Sequence, residues 1–174
     1  MAGNRFVRLN AGQLKEEAAP AASTGTAQAN CLVSTGSEGT IDPSFFPTGF
    51  GPEANTFVAD GAIPAGAFVN IFDNAGVPSM RLADPTNGRP ADGFVMTAVA
   101  DSASGTVFFE GINDQLSGLN TGTQYYLSDT PGDPTDSTGA PVTGGNAGDI
   151  VQQLGRSISP TAIYFERSQT VELC

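Results

Sequence analysis

Residues 67–83 read AFVNIFDNAGVPSMRLA, and the reading of this stretch decides the fold. Residues 67–72 gather β-branched and aromatic side chains into a short run. Asp73-Asn74-Ala75-Gly76 then supplies turn chemistry, and residues 77–83 resume an apolar pattern. A run of β-formers, a tight turn and a second run predict an antiparallel hairpin. Val69 and Ile71 alternate with Phe68, Asn70 and Phe72, so both faces of the first strand are expected to be partly covered.

The same pattern recurs toward the carboxyl end. GFVMTAVAD (93–101) and SGTVFFEG (104–111) read as a second hairpin around Ser102-Ala103, and TQYYLSD (123–129) as a further strand. DIVQQLGRSIS (149–159) and TAIYFER (161–167) read as a last pair turned at Ser159-Pro160. Seven to nine strands are expected, and no segment sustains a 3.6-residue period. Twenty-two Gly and twelve Pro are more than helices tolerate. The predicted fold is all-β: a single β-barrel or two-sheet β-sandwich body over residues 56–174, behind an extended N-terminal arm with short hairpins over residues 1–55. Residues 130–149, TPGDPTDSTGAPVTGGNAGD, are expected to form an exposed loop, ordered only if something packs on it.

Within the arm, RFVRLNAGQLKE (5–16) and CLVSTGSEGTID (31–42) echo each other as small hairpins, separated by the featureless AAPAASTGTAQA (18–29). Two-stranded hairpins are marginal in water, so the arm is expected to need the body, a sister chain or a partner to lie against. In DPSFFPTGFGPEAN (42–55), Phe45, Phe46 and Phe50 sit among Pro43, Pro47 and Pro52, which excludes a regular helix or central strand. These aromatics are either anchors for a neighbouring groove or a linker capping the body's own core.

The net charge of −11 argues against nucleic acid as the main partner, because phosphate binding needs a basic face. The charge is also uneven. Arg5, Arg8 and Lys15 precede the first acid, Glu16, whereas every charged residue between Arg89 and Arg156 is a carboxylate. A basic leading segment on an acidic body fits an arm that docks on an acidic or polar surface; three solvated terminal cations are the plainer reading.

Chemistry is sparse. The chain has no His and no Trp. It lacks the commonest general base and transition-metal ligand, and Cys31 with Cys174 cannot alone make a zinc site. No nucleophile elbow or phosphate loop appears, and the spacing of Asp92, Asp101, Glu110 and Asp114 picks out no acid–base pair. Asp129, Asp133 and Asp136 lack calcium-loop spacing and read as a solvated acidic loop. No catalytic residue, metal site or cofactor is assigned, and no enzymatic activity is expected. No run has signal-peptide character or membrane-span length, so use without conventional secretion, no membrane partner and unpaired thiols in a reducing cytoplasm are expected.

Two stretches carry a resemblance: LSGLNTGTQYYLS (116–128) and GDIVQQLGRSIS (148–159). With the order of the surrounding segments, they resemble small tailed-bacteriophage virion proteins, above all the capsid decoration (cement) proteins; similar modules occur in phage fibre proteins. The resemblance covers nearly the whole chain. It implies a β-rich homotrimeric body on the capsid exterior, made in the host cytoplasm, whose partners are the major capsid protein and further copies of itself. It implies no catalytic residues. The residues expected to meet the partner are Arg5, Phe6, Arg8, Lys15, Phe45, Phe46 and Phe50. Under the fibre alternative, Tyr125, Tyr126 and the 130–149 loop would face a bacterial surface.

Overall fold

The computed structural model describes residues 5–10, 13–21, 32–35, 39–41, 45, 53–136 and 146–174. The chain divides into two units, Met1–Gly51 and Pro52–Cys174.

In the first unit, β1 (Arg5–Asn10) and β2 (Gln13–Ala18) form an antiparallel hairpin, with Phe6 opposite Glu17, Val7 opposite Glu16 and Arg8 opposite Lys15. The expected second hairpin over 31–42 is not formed by its described residues, none of which lies in a strand. Ser34 instead ties this segment to the residues just after β2. Its N–H donates to the Pro20 carbonyl at 3.0 Å, and its Oγ reaches the Ala19 and Pro20 carbonyls at 3.2 Å. The remainder of 31–42, including Cys31, lies outside the described residues.

The second unit is all-β and begins with a closed barrel. Its strands are β3 (Ala54–Ala59), β4 (Phe68–Asn74), β5 (Val77–Leu82), β6 (Gly93–Val95) and β7 (Ser104–Phe108), joined around the barrel in the order β3-β5-β4-β6-β7. The hairpin that decides the fold is β4–β5, and Val69 to Asn74 pair with Leu82 to Val77 in unbroken register. Its turn is tight because Ala75 (φ 52°) and Gly76 (φ 89°) both take positive φ, and the Asp73 carboxylate accepts from the Gly76 N–H at 2.8 Å. β3 runs parallel to β5 and antiparallel to β7, and these contacts close the barrel.

β6 and β7 pair as expected, Phe94 with Phe108 and Val95 with Val107, but the strands stop earlier than 93–101 suggests. Residues 96–103 leave the ladder but stay tied to the barrel, through a bridge between Val99 and Ile63 and through Ala59, which donates to the Ala103 carbonyl and accepts from the Ser102 N–H.

The rest of the unit is a sheet of β8 (Gly111–Asn113), β9 (Gln124–Leu127), β10 (Pro134–Asp136), β11 (Ile150–Ser159), β12 (Ala162–Phe165) and β13 (Thr170–Glu172). The order is β10-β9-β11-β12-β8, with β13 along the first residues of β11. Described residues 53–174 thus contain eleven strands rather than seven to nine; β8, β10 and β13, at three residues each, are too short to leave a periodic pattern. The 130–149 stretch is also not wholly an exposed loop. Gly132 is buried, its carbonyl accepts from the Phe68 N–H and its N–H donates to the Ala83 carbonyl, and β10 follows directly. Residues 137–145 lie outside the described residues.

Strand alternation builds two large cores, beside a small third cluster of Leu119, Tyr125 and Ile163. Val69, Val95 and Val107 point into the barrel with Ala59, Ile63, Met80 and Val99. The side chains between them, Phe68 and Phe94, point outward and meet Leu127, Leu154 and Phe165 of the sheet. Both faces of β4 are therefore covered. Ring centroids of 5.5 Å for Phe68–Phe165 and 5.8 Å for Phe94–Phe165 make this aromatic triangle the joint between barrel and sheet.

Candidate interaction surfaces

The hairpin brings four of the seven expected contact residues together. Arg5 and Lys15 are exposed, Phe6 is half-buried, and the Arg5 guanidinium reaches the Glu16 carboxylate at 3.2 Å. Arg8 pairs with Lys15 through the backbone. An ion pair so exposed contributes little stability. Val7 is 63% and Leu14 78% exposed, on the hairpin face that also carries Arg5. Phe45 is half-buried within the same unit, while Phe46 and Phe50 lie outside the described residues.

Within the second unit, one mouth of the barrel forms a groove of about 680 Å³ that the sequence reading missed. Phe57, Ile71 and Phe109 line it, and each follows the inward-facing file of its strand: Phe57 with Ala59, Ile71 with Val69, Phe109 with Val107. Phe57 and Phe109 meet edge to face, centroids 6.2 Å apart. Around this apolar floor stand Glu53, Asp92, Glu110, Glu166 and Arg167.

Two of these rim groups are committed. Asp92 Oδ2 accepts from the Ile71 N–H at 2.9 Å and from Asn70 Nδ2 at 3.1 Å, and its other oxygen meets Arg167 at 3.0 Å. Asn70 passes the chain on to Arg81, whose guanidinium stacks 4.2 Å from the Phe72 ring centroid. The Arg81 pKa is lowered, by burial first and then by Arg89, with Asp60 acting in the opposite sense. Glu53, Glu110 and Glu166 are exposed and make no side-chain hydrogen bond or ion pair among the described residues. The mouth is thus apolar below and carries a surplus of negative charge above.

The chain matches no known family model, no curated protein and no solved structure.

A further surface lies on the outer face of the sheet. Gln124, Arg156, Tyr164 and Ile112 stand in register across β9, β11, β12 and β8. Tyr164 and Ile112 are about half exposed, as is Ile158 farther along β11. The two tyrosines singled out for a recognition role fare differently. Tyr125 is buried, its hydroxyl accepting from the Asn120 N–H at 2.9 Å, so it holds a turn instead of standing on the surface. Tyr126 is half-buried on the opposite side of the same strand.

Among the described residues, no three His, Cys, Asp or Glu side chains gather closely enough to hold a metal ion. Cys174 is a free, exposed thiol. No helix among the described residues is long and apolar enough to cross a membrane.

Proposed function

We propose that this is a structural virion protein that binds the outer surface of a phage capsid and stabilises it by bridging neighbouring major capsid subunits, without catalysis. One observation carries the reading. A hairpin too small to be stable alone exposes Val7 and Leu14, in a unit separate from a body that has its own two apolar cores. Apolar side chains displayed on a marginal element are stabilised when a partner covers them; a rigid body behind that element holds the partner in place.

The proposed mechanism follows from mechanics. A shell under internal pressure fails where neighbouring subunits separate, and a bridge must be broken before the junction opens. Linked copies make each contact effectively intramolecular, so weak individual contacts hold collectively. A permanent interface of this kind buries on the order of 2,000 Å² or more, and the contacts must outweigh the entropy lost on ordering the arm.

Particles assembled without the protein should rupture at lower temperature or lower force than complete ones. Removing residues 1–50 should leave a folded body that no longer sediments with capsids. Undiminished binding by that truncation would refute the strap. Antibody labelling of particles in negative stain separates this role from that of a fibre: label spread over the head supports it, and label confined to the tail refutes it.

A further inference from the structure

The outer face of the sheet gathers the apolar side chains that the second unit leaves uncovered. Among the described residues of that unit, five large hydrophobic side chains are about half exposed or more. Four of them, Ile112, Ile158, Tyr164 and Val171, lie on this face; Val77 does not. Residues 52–174 hold four arginines against fourteen carboxylates, yet the outward positions of β8, β9, β11 and β12 carry one charged side chain, Arg156. Exposed aliphatic side chains with Tyr and Arg, and few acids, are the composition of an interface core. Arg156 is held in place, its Nε donating to the Gly122 carbonyl at 2.6 Å, but it makes no ion pair among the described residues. Glu166, just past β12 and two residues beyond Tyr164, is exposed and also without an ion pair among them, and it lines one hollow with Arg156 and Tyr164.

We propose that this face binds the same face of a second copy of the chain, about a two-fold axis that runs along the strands between β11 and β12. Identical faces joined in this way make every contact twice. The axis sets β11 of one copy over β12 of the other, so Arg156 meets the Tyr164 ring and the Glu166 carboxylate of the second copy, and Ile112 stands over its β9. Charge favours this occupant. Two bodies of the same negative sign repel least where the facing strands carry no acid, and a cation beside an unpaired acid is complementary to its own copy turned over. Size agrees: at its widest the face spans five strands, about 24 Å, and the ten residues of β11, about 33 Å. That is the scale of the roughly 800 Å² that each partner contributes to a stable pair. Two sheets stack in this manner with their strand directions within about 30° of each other. The joint yields a pair, where the resemblance implies three copies, and it stands whether or not the chain binds a capsid.

Sedimentation equilibrium on the full-length chain tests it. The wild type should have the mass of two copies at micromolar concentration. Ile112→Asp and Ile158→Asp each place a carboxylate on the face and should reduce the mass to one copy. Val77→Asp, the same kind of change at the exposed side chain off the face, should leave the pair intact. Arg156→Glu should be monomeric, and so should Glu166→Arg. Mixing these two variants should restore the pair, since each supplies the charge that the other lacks at both of the two-fold related contacts. A contact within one chain cannot produce that rescue.

A wild-type mass other than two copies, a pair that survives both Ile112→Asp and Ile158→Asp, an equal loss in Val77→Asp, or a mixture that stays monomeric would each overturn the proposal. The wild-type mass needs no substitution, so it decides even if a variant misfolds.

Discussion

The side-chain amide of Gln152 lies against the backbone of Ala91, accepting from its N–H at 2.6 Å and donating to its carbonyl at 2.8 Å. Gln152 belongs to β11 of the sheet, and Ala91 lies just before β6 of the barrel. The side chain therefore acts as one rung of a β-ladder between two layers that share no backbone rung at that point. Both residues are buried, so removing the amide leaves a buried donor and a buried acceptor unsatisfied. Gln152→Leu should destabilise the protein by about 2–5 kcal/mol. Urea denaturation measures this, and an unchanged midpoint would mean that the layers are joined without this contact.

Phe165 supplies the sheet's side of the aromatic joint and is fully buried against Phe68 and Phe94. Phe165→Ala removes the ring shared by both centroid contacts and should cost about 3–5 kcal/mol. Phe165→Leu keeps most of the apolar volume and should cost less. Equal losses in the two variants would show that the joint depends on ring geometry rather than on volume.

Much of this fold is legible in the sequence, and the parts that are not have physical reasons. The 67–83 hairpin announces itself because alternation and turn chemistry agree over its whole length. The 149–167 pair is legible for the same reason. Pairings between distant strands leave no such trace: the parallel contact of β3 with β5 closes the barrel, yet nothing local encodes its register. The mouth is hidden for that reason too, since Phe57 and Phe109 meet only once β3 and β7 have paired. The open face of the β1–β2 hairpin is not legible, for Phe6 is expected to meet the partner yet is half-buried while Val7 and Leu14 stand exposed, and Tyr125 misleads in the same way, because an aromatic in a strand pattern does not declare which side of the sheet it occupies. Gln152 carries the opposite lesson, for a polar residue in a strand reads as solvent-facing until its partner's backbone is found.

Gly155 lies in the GDIVQQLGRSIS stretch, and its backbone explains the residue. It has a φ of +143° at a bulge where β11 shifts register against β9, and an added Cβ would collide with the Tyr164 carbonyl of β12. Because backbone, rather than a flexible side chain, occupies that space, β12 would have to move. Gly155→Ala should lower stability by about 2–4 kcal/mol, read as a drop in melting temperature. The nearby Arg156→Ala, on the exposed face, should have much less effect, and a larger loss at Arg156 than at Gly155 would contradict this account of the bulge.

Asp84 gives the protein a dependence on acid. Burial pushes its carboxyl up, but hydrogen bonds from the Thr86 hydroxyl, the Asn87 amide and the Thr86 N–H, with the nearby Arg89 charge, outweigh burial and hold it below its ordinary value of 3.8. A carboxyl whose folded pKa is depressed contributes stability that is fully present above the unfolded value, near 4, and is lost as pH falls through the folded one. Asp84→Asn should therefore cost about 1–2 kcal/mol at pH 7, with a penalty that shrinks once the pH drops below about 4. Denaturation midpoints of the two proteins at pH 7, 5 and 3 measure the difference. Parallel pH profiles would show that the carboxylate charge is not what holds the turn at residues 85–87.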